Sequence, residues 1–467
     1  METHKPKVGV LALTLELYET LAPRLREGRE RWLRECVLPA LARHVDVLFD
    51  RAVFRREDID AAVASLEAAG ADALLVILLT YSPSQLALPA LRRTRLPILL
   101  WNTQELVAVD AAFDTAAMID NHGVHGTQDL ANVLLRGGVP FEYVTSHLSD
   151  AGGLDALVDF AWAAAATRRL RTARLGLLGY PFPGMGDFAV DTTYLASTLG
   201  CDWVELTVED YVLRAAAAPA KAVADLVTEY RTTYDVAPDL TAADLEATAR
   251  VELALRGMVA DHGIAGLSYQ FLAFGADERT PTLPFVAASR LMADGIGFAG
   301  EGDIVGAAGV CLLGGLRPPA SFVEMFTIDF AGNGVLLSHM GESNVAMAPR
   351  GAKVRLIGRS SPITRTRGRQ LALVAGFEPG PATLCALAQG PQNRWRLVVA
   401  AARIADYGPL PGFEVPHAKV HPEGDVREFL TAYAKAGGPH HLALAFGDAR
   451  PRLRQAARML AADYCEV

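Results

Sequence analysis

The sequence predicts an α/β protein with two open parallel-sheet α/β domains followed by a β-rich, barrel-like C-terminal domain. Two patterns carry that expectation. Up to about Leu316, short continuous apolar runs alternate with amphipathic stretches of helical length, as parallel strands covered on both faces do. Beyond Arg317-Pro318-Pro319 the apolar residues recur with period two, as they do in strands with one buried face.

In the first domain, residues 1–170, candidate strands are Val8 to Leu13, Val45 to Phe49, Ala73 to Leu79, Pro97 to Trp101 and Phe141 to Thr145. Helical stretches such as Arg24 to Ala42 and Asp58 to Ala69 separate them. Function in such sheets gathers in loops after the carboxyl ends of strands. Here those loops carry Leu17-Tyr18, Thr80-Tyr81-Ser82-Pro83, Asn102-Thr103-Gln104 and Asn121-His122-Gly123-Val124-His125-Gly126. The second domain, residues 171–317, has strands at Leu175 to Gly179, Trp203 to Leu206 and Ala265 to Ser268, with a long helix over Thr241 to His262. The Pro318-Pro319 pair fixes the backbone and marks the boundary. The third domain, residues 318–467, has strands at Phe322 to Phe330, Gly334 to Met340, Lys353 to Ile357, Leu371 to Ala375 and Trp395 to Ala400, closed by a helix over Arg450 to Asp463.

Composition narrows the function. With 51% hydrophobic and 21% charged residues, the 467-residue chain can fold throughout. A formal charge of −9 argues against nucleic acid or an anionic membrane as main partner. Five widely spaced cysteines with no C-x-x-C pair read as buried thiols in a reducing cytosol. Met1 to Lys7 lacks an apolar signal region, and Ile304 to Leu316 is shorter than the roughly 20 residues that span a bilayer. A cytoplasmic protein is expected.

The chemistry concentrates in Gly300-Glu301-Gly302-Asp303, Ser321-Phe322-Val323-Glu324, Ser338-His339-Met340 and Gly438-Pro439-His440-His441. Two carboxylates and two imidazoles among small or apolar neighbours suit a Mn²⁺-like ion. Ala331-Gly332-Asn333-Gly334 signals a hairpin. For a two-residue loop, Glu324 and His339 have the parity that puts them on one face, one or two pair-steps off direct opposition. The plain alternative is a solvated cross-strand pair, against which stand the apolar Phe322, Phe326 and Ile328. Gly295 to Gly300 also matches G-x-G-x-x-G, but Phe285 to Asp294 before it reads as helix, so a dinucleotide site is not expected. Asp303 reads as a helix N-cap. The Arg355 to Arg369 run reads as a solvated loop, and His122 and His125 as a cap, an anion contact or a substrate contact.

At these residues the chain resembles the L-arabinose isomerase family, within a wider group that includes L-fucose isomerases. Gly-Phe-Ala-Gly-Glu-Gly-Asp, Ser-Phe-x-Glu, Ser-His-Met and Gly-Gly-x-His-His occur in the family's order. Leu17-Tyr18, Thr80 to Pro83, Thr103-Gln104, Asn121-x-x-x-His125-Gly126 and Met185 match more loosely. The resemblance implies Glu301, Glu324, His339 and His441 as ligands of Mn²⁺, with Co²⁺ or Mg²⁺ as substitutes, and Glu301 and Glu324 as the acid/base pair. It implies Leu17, Tyr18, Tyr81, His122, Met185, Phe271 and His440 around the sugar, with His125 reaching it from a neighbouring subunit of a hexamer. Leu15-Glu16 and His122 depart from the polar residues of the arabinose enzymes, so an aldose other than L-arabinose, or a relaxed range, is expected.

The function read from the sequence is thus metal-dependent aldose–ketose isomerisation of a pentose or hexose through a cis-enediol. The alternative is a non-catalytic sugar-binding or sensing protein on the same fold. The Glu-Glu-His-His set separates the two, since a binding module has no need of it.

Overall fold

The computed structural model describes residues 5–275, 279–280, 282–360, 366, 368–408 and 410–467. The chain forms two compact units, Glu2–Arg168 and Arg169–Val467. In the first, strands β1 (Lys7–Leu13), β2 (Asp46–Leu48), β3 (Ala73–Leu78), β4 (Ile98–Asn102) and β5 (Glu142–Thr145) form a parallel sheet ordered β2-β1-β3-β4-β5. Every residue of Ala73–Leu78 is buried, as expected of a strand covered on both faces. Leu11, Leu13, Leu74, Val76 and Leu100 pack against Ile59 and Val63 of the helix Arg56–Ala68 and Leu130 and Leu134 of the helix Val124–Arg136.

The second unit contains β6 (Arg174–Leu178), β7 (Asp202–Leu206), β8 (Asp235–Val236), β9 (Ile264–Tyr269) and β10 (Gly297–Ala299). Of these, β10-β9-β6-β7 make a parallel sheet. The expected long helix is Ala242–His262, started by a capping box between Thr241 and Asp244. The glycine string Gly295–Gly300 spans β10 itself rather than following a strand, so it is no dinucleotide loop. The chain continues through β11 (Ala320–Asp329), β12 (Gly334–Ser338), β13 (Arg355–Arg359), β14 (Gln370–Val374), β15 (Gly380–Gln389), β16 (Trp395–Ile404), β17 (His417–Pro422), β18 (His441–Phe446) and β19 (Asp463–Glu466). The order β15-β18-β11-β12-β17-β16, with β15 also paired to β16, closes an antiparallel barrel that carries β19 beside β16. Val323, Leu337, Leu384, Val398 and Leu444 fill it, with Phe429 and Tyr433 of the helix Val426–Lys435 against them.

Several sequence expectations need correction. β13 and β14 lie outside the barrel, in a small sheet with β8, because Leu356, Leu371 and Leu373 bury against Val223, Tyr230 and Leu245 of the neighbouring helices. The last helix stops at Met459, ended by left-handed Ala461, and Asp463 opens β19. Cys36 is exposed, since Leu33 and Val37 take the inward face of that helical run. Of the arginine run, Arg365 and Arg367 lie outside the described residues. Among the described residues no helix is long and apolar enough to cross a membrane.

The helix Ile304–Leu316 is apolar on all sides and packs against β9 and β10 as well as β11, β15 and β18. It joins the parallel sheet to the barrel, and its N-terminus holds the candidate site.

Candidate metal centre

Glu301 sits in the turn between β10 and that helix. Glu301 and Gly302 are both left-handed, at φ 62° and 82°, which reverses the chain within two residues. A non-glycine residue pays on the order of 1 kcal/mol for that conformation, a strain typical of functional turns. Gly300 is needed for closeness, since a Cβ there would lie 2.8 Å from His339 Cε1. Asp303 caps the helix, its Oδ1 accepting from Gly306 N at 2.7 Å, as the sequence suggested.

Glu324 on β11 stands directly opposite His441, the first residue of β18. The hairpin between Glu324 and His339 does not have the expected register. The tip pairs Asp329 with Gly334, leaving a four-residue loop, and a bulge at Phe326 then shifts the register so that Glu324 faces Ser338. His339 lies just past the end of β12, buried, with a donor atom beside that of Glu324. Phe326 and Ile328 are exposed; Phe322 alone of the three apolar residues is buried.

Three imidazoles meet here, each with Nδ1 on a carboxylate: His339 on Glu342 at 2.7 Å, His440 on Asp187 at 2.5 Å and His441 on Asp303 at 3.0 Å. Such partners fix the ring and leave Nε2 for a ligand. His441 is buried, and its Nε2 has no hydrogen-bond partner. Donor atoms of Glu324, His339 and His441 lie within 4.8 Å of one another, and so do those of Glu301, His440 and His441. His441 Nε2 is 3.7 Å from Glu301 Oε2. Phe188 stacks on the His441 ring, and Phe322 meets it edge-on.

The electrostatics follow the contacts. Burial works against a charged His339, but the adjoining Glu342 outweighs it and raises the group above the ordinary histidine value. The Glu301 carboxylate, with Asp187, lifts His440 to about 9 against the pull of burial. Burial would raise Glu301, yet the three imidazoles hold its carboxyl below the ordinary range. Burial also lifts the Tyr269 hydroxyl, which donates to Glu342, far above the ordinary tyrosine value. Five carboxylates (Asp187, Glu301, Asp303, Glu324, Glu342) share this region with three imidazoles, and with Arg359 near Glu342. With neutral imidazoles that balance is negative, and an orphaned buried nitrogen completes a donor set suited to a divalent cation.

Met185 and Phe271 lie in the same unit, joined to the Glu301 turn through Phe182. Phe182 N donates to the Glu301 carbonyl at 2.9 Å, its carbonyl accepts from Met185 N at 3.3 Å, and its ring is 6.0 Å from that of Phe271. Leu17, Tyr18, Tyr81, His122 and His125 belong to the other unit, where the last four form their own cluster. There Tyr18 Oη is 2.8 Å from His122 Nε2, His122 Nδ1 meets the Ile119 carbonyl, Tyr81 stacks on His125, and Leu17 is exposed. Sequence reasoning assigned no site role to Asp187, Phe188, Tyr269 or Glu342, and saw Asp303 only as a cap. Glu342 had a signal: a charge set between Gly341 and Ser343, three residues from His339.

Comparison with known proteins gives this arrangement a family. The L-arabinose isomerase central domain matches residues 190–313, and the L-arabinose isomerase C-terminal domain matches residues 319–463. The L-arabinose isomerase of Acidothermus cellulolyticus is 30% identical over 414 residues, covering 84% of this chain and 80% of that protein. That of a Nocardioides species is 29% identical, covering 83% and 78%. The chain belongs to the L-arabinose isomerase family. It is therefore a sugar aldose–ketose isomerase, and the centre described above falls within the matched segments except for Asp187 and Phe188, which precede them.

Proposed function

We propose that this chain interconverts an aldose and its ketose with a divalent cation held by Glu301, Glu324, His339 and His441. The observation that carries the reading is the buried, unpartnered Nε2 of His441, shared between two groups of donors that each include one of the two glutamates. When bound, the cation, Mn²⁺ with Co²⁺ or Mg²⁺ as substitutes, polarises the sugar's carbonyl and hydroxyl oxygens.

The residues of the chain do the rest. One carboxylate of the Glu301 and Glu324 pair removes the proton from C2 of the open-chain aldose as O1 gains one. The cis-enediol then receives a proton at C1 while O2 gives one up, and the ketose results. Asp303 and Glu342 hold His441 and His339 in fixed tautomers. Met185, Phe271 and His440 belong to the sugar's surroundings. Leu17, Tyr18, Tyr81, His122 and His125 read as further sugar contacts, with His125 supplied to a neighbouring subunit of a hexamer, as the family resemblance implies. The same reading divides the chain into domains 1–170, 171–317 and 318–467 and places it in the cytoplasm.

The test is a panel of aldopentoses and aldohexoses incubated with Mn²⁺ and scored for ketose, before and after chelation. Ketose formation that stops on chelation and returns with Mn²⁺ supports the reading. Full activity in exhaustively demetallated protein rejects the cation, and no ketose from any sugar rejects the isomerase.

A further inference from the structure

The three imidazole–carboxylate pairs are not alike. Asp303 and Glu342 are buried, at 1% exposure each. Asp187, in the loop after β6, has a side chain that is 38% exposed. It takes two hydrogen bonds from one residue, from His440 N at 3.0 Å and from His440 Nδ1 at 2.5 Å. Phe188, next in sequence, lies against the rings of both His440 and His441. The segment thus clamps the His440 backbone and ring together. With Nδ1 committed, His440 can turn only Nε2 toward Glu301, whose Oε2 is 3.7 Å away. That gap is long for a direct hydrogen bond. An oxygen placed beside both atoms can be within hydrogen-bond distance of each.

We propose that Asp187 is a positioning residue for isomerisation, acting through His440 to hold its Nε2 against a sugar oxygen beside Glu301. The inference rests on the isomerase reading and adds to it a residue that never touches the sugar. A group fixed this way lowers the barrier by holding its partner in the reacting geometry, so its loss falls on turnover.

The test combines kinetics with a signal that needs no substrate. Asp187→Ala should lower kcat about tenfold to a hundredfold, the usual scale for an outer-shell partner, with the Mn²⁺ titration curve unchanged. Asp187→Asn keeps an oxygen acceptor and the side-chain shape, so it should melt with the parent and lose less. Because Asp187 acts only through His440, Asp187→Ala combined with His440→Ala should be no slower than His440→Ala alone. In ¹⁵N-histidine-labelled, chelated protein, a low-field Nδ1 proton of His440 should be present in the parent and absent in Asp187→Ala. Additive losses, a weakened Mn²⁺ titration in place of a slower kcat, or survival of that proton in Asp187→Ala would each overturn the proposal. A parent protein inactive on every sugar defeats the isomerase reading itself, whereas normal kcat in Asp187→Ala of an active parent defeats this inference alone.

Discussion

Glu324 and His441 are direct cross-strand partners in the antiparallel pair of β11 and β18. Directly opposed side chains share a face and lie close together, so the barrel ladder itself sets one carboxylate beside one imidazole. His339 joins them from the end of β12, and Glu301 from a strained turn of the neighbouring parallel sheet. Two donors on paired strands, with rings locked by further carboxylates, give the precision a metal site needs.

Both glutamates should be indispensable. On the proposed mechanism, Glu301→Gln and Glu324→Gln would each remove both a charge on the cation and a proton acceptor, and each should lower kcat roughly a thousandfold. Steady-state kinetics at saturating Mn²⁺ provide the check. Near-normal turnover in either variant would mean that the other carboxylate, or another base, moves the proton.

Asp303 has two separable duties, and two substitutions should divide them. Oδ1 caps the helix Ile304–Leu316 and Oδ2 orients His441. Asp303→Asn keeps a capping oxygen but loses the charge on the imidazole, so stability should hold while metal affinity falls about tenfold or more. Asp303→Ala should lose both, with about 1 kcal/mol of stability gone from the cap. Melting curves and Mn²⁺ titrations on both variants separate the effects; equal metal affinity in parent and Asp303→Asn would reduce the residue to a cap.

Much of this was legible in the sequence, but unevenly. Runs such as Ala73 to Leu78 announce buried parallel strands because both faces are apolar. Glu324, His339 and His441 bring donor atoms together, and so do Glu301, His440 and His441, but the hairpin parity expected for Glu324 and His339 is not what pairs them. A single bulge at Phe326 reverses the parity of everything beyond it, and no residue type marks a bulge reliably. Long-range pairs were the other blind spot. Asp187 meets His440 across 253 positions, and the β8–β13 pairing joins segments more than a hundred residues apart; periodicity reports only local structure.

Thiol reactivity should single out the exposed cysteine. Burial pushes Cys201, Cys311 and Cys385 up to about 12, which leaves almost no thiolate near neutral pH, whereas Cys36 is open to solvent. In native protein an aromatic disulfide reagent should react rapidly at Cys36, and Cys36→Ser should remove that fast phase. These three thiols, two buried and Cys311 half-buried, should react only on unfolding. Rapid modification of any of them in the folded Cys36→Ser variant would contradict the raised thiols.

His122 offers a test by pH and by substrate together. Its Nδ1 meets the Ile119 carbonyl and its Nε2 faces the Tyr18 hydroxyl at 2.8 Å, an arrangement that suits the neutral ring. Burial lowers it below the ordinary histidine value of 6.5, more than the Ile119 carbonyl raises it. The sign follows from proton counting. The unfolded chain binds the proton first as pH falls, so the stabilising effect is present above about 6.5 and is lost in acid. His122→Gln can still accept from Tyr18 but does not titrate, so its melting temperature should fall less than the parent's between about pH 7 and pH 5. Parallel melting profiles would show that His122 is not held neutral. The same variant bears on specificity, because a site built to hydrogen-bond particular hydroxyls rejects sugars that lack them. If the Tyr18 and His122 pair helps to choose the sugar, the ranking of aldoses by kcat/KM should shift toward L-arabinose in His122→Gln. An unchanged ranking, with L-arabinose already far ahead in the parent, would mean that these loop residues do not select the substrate.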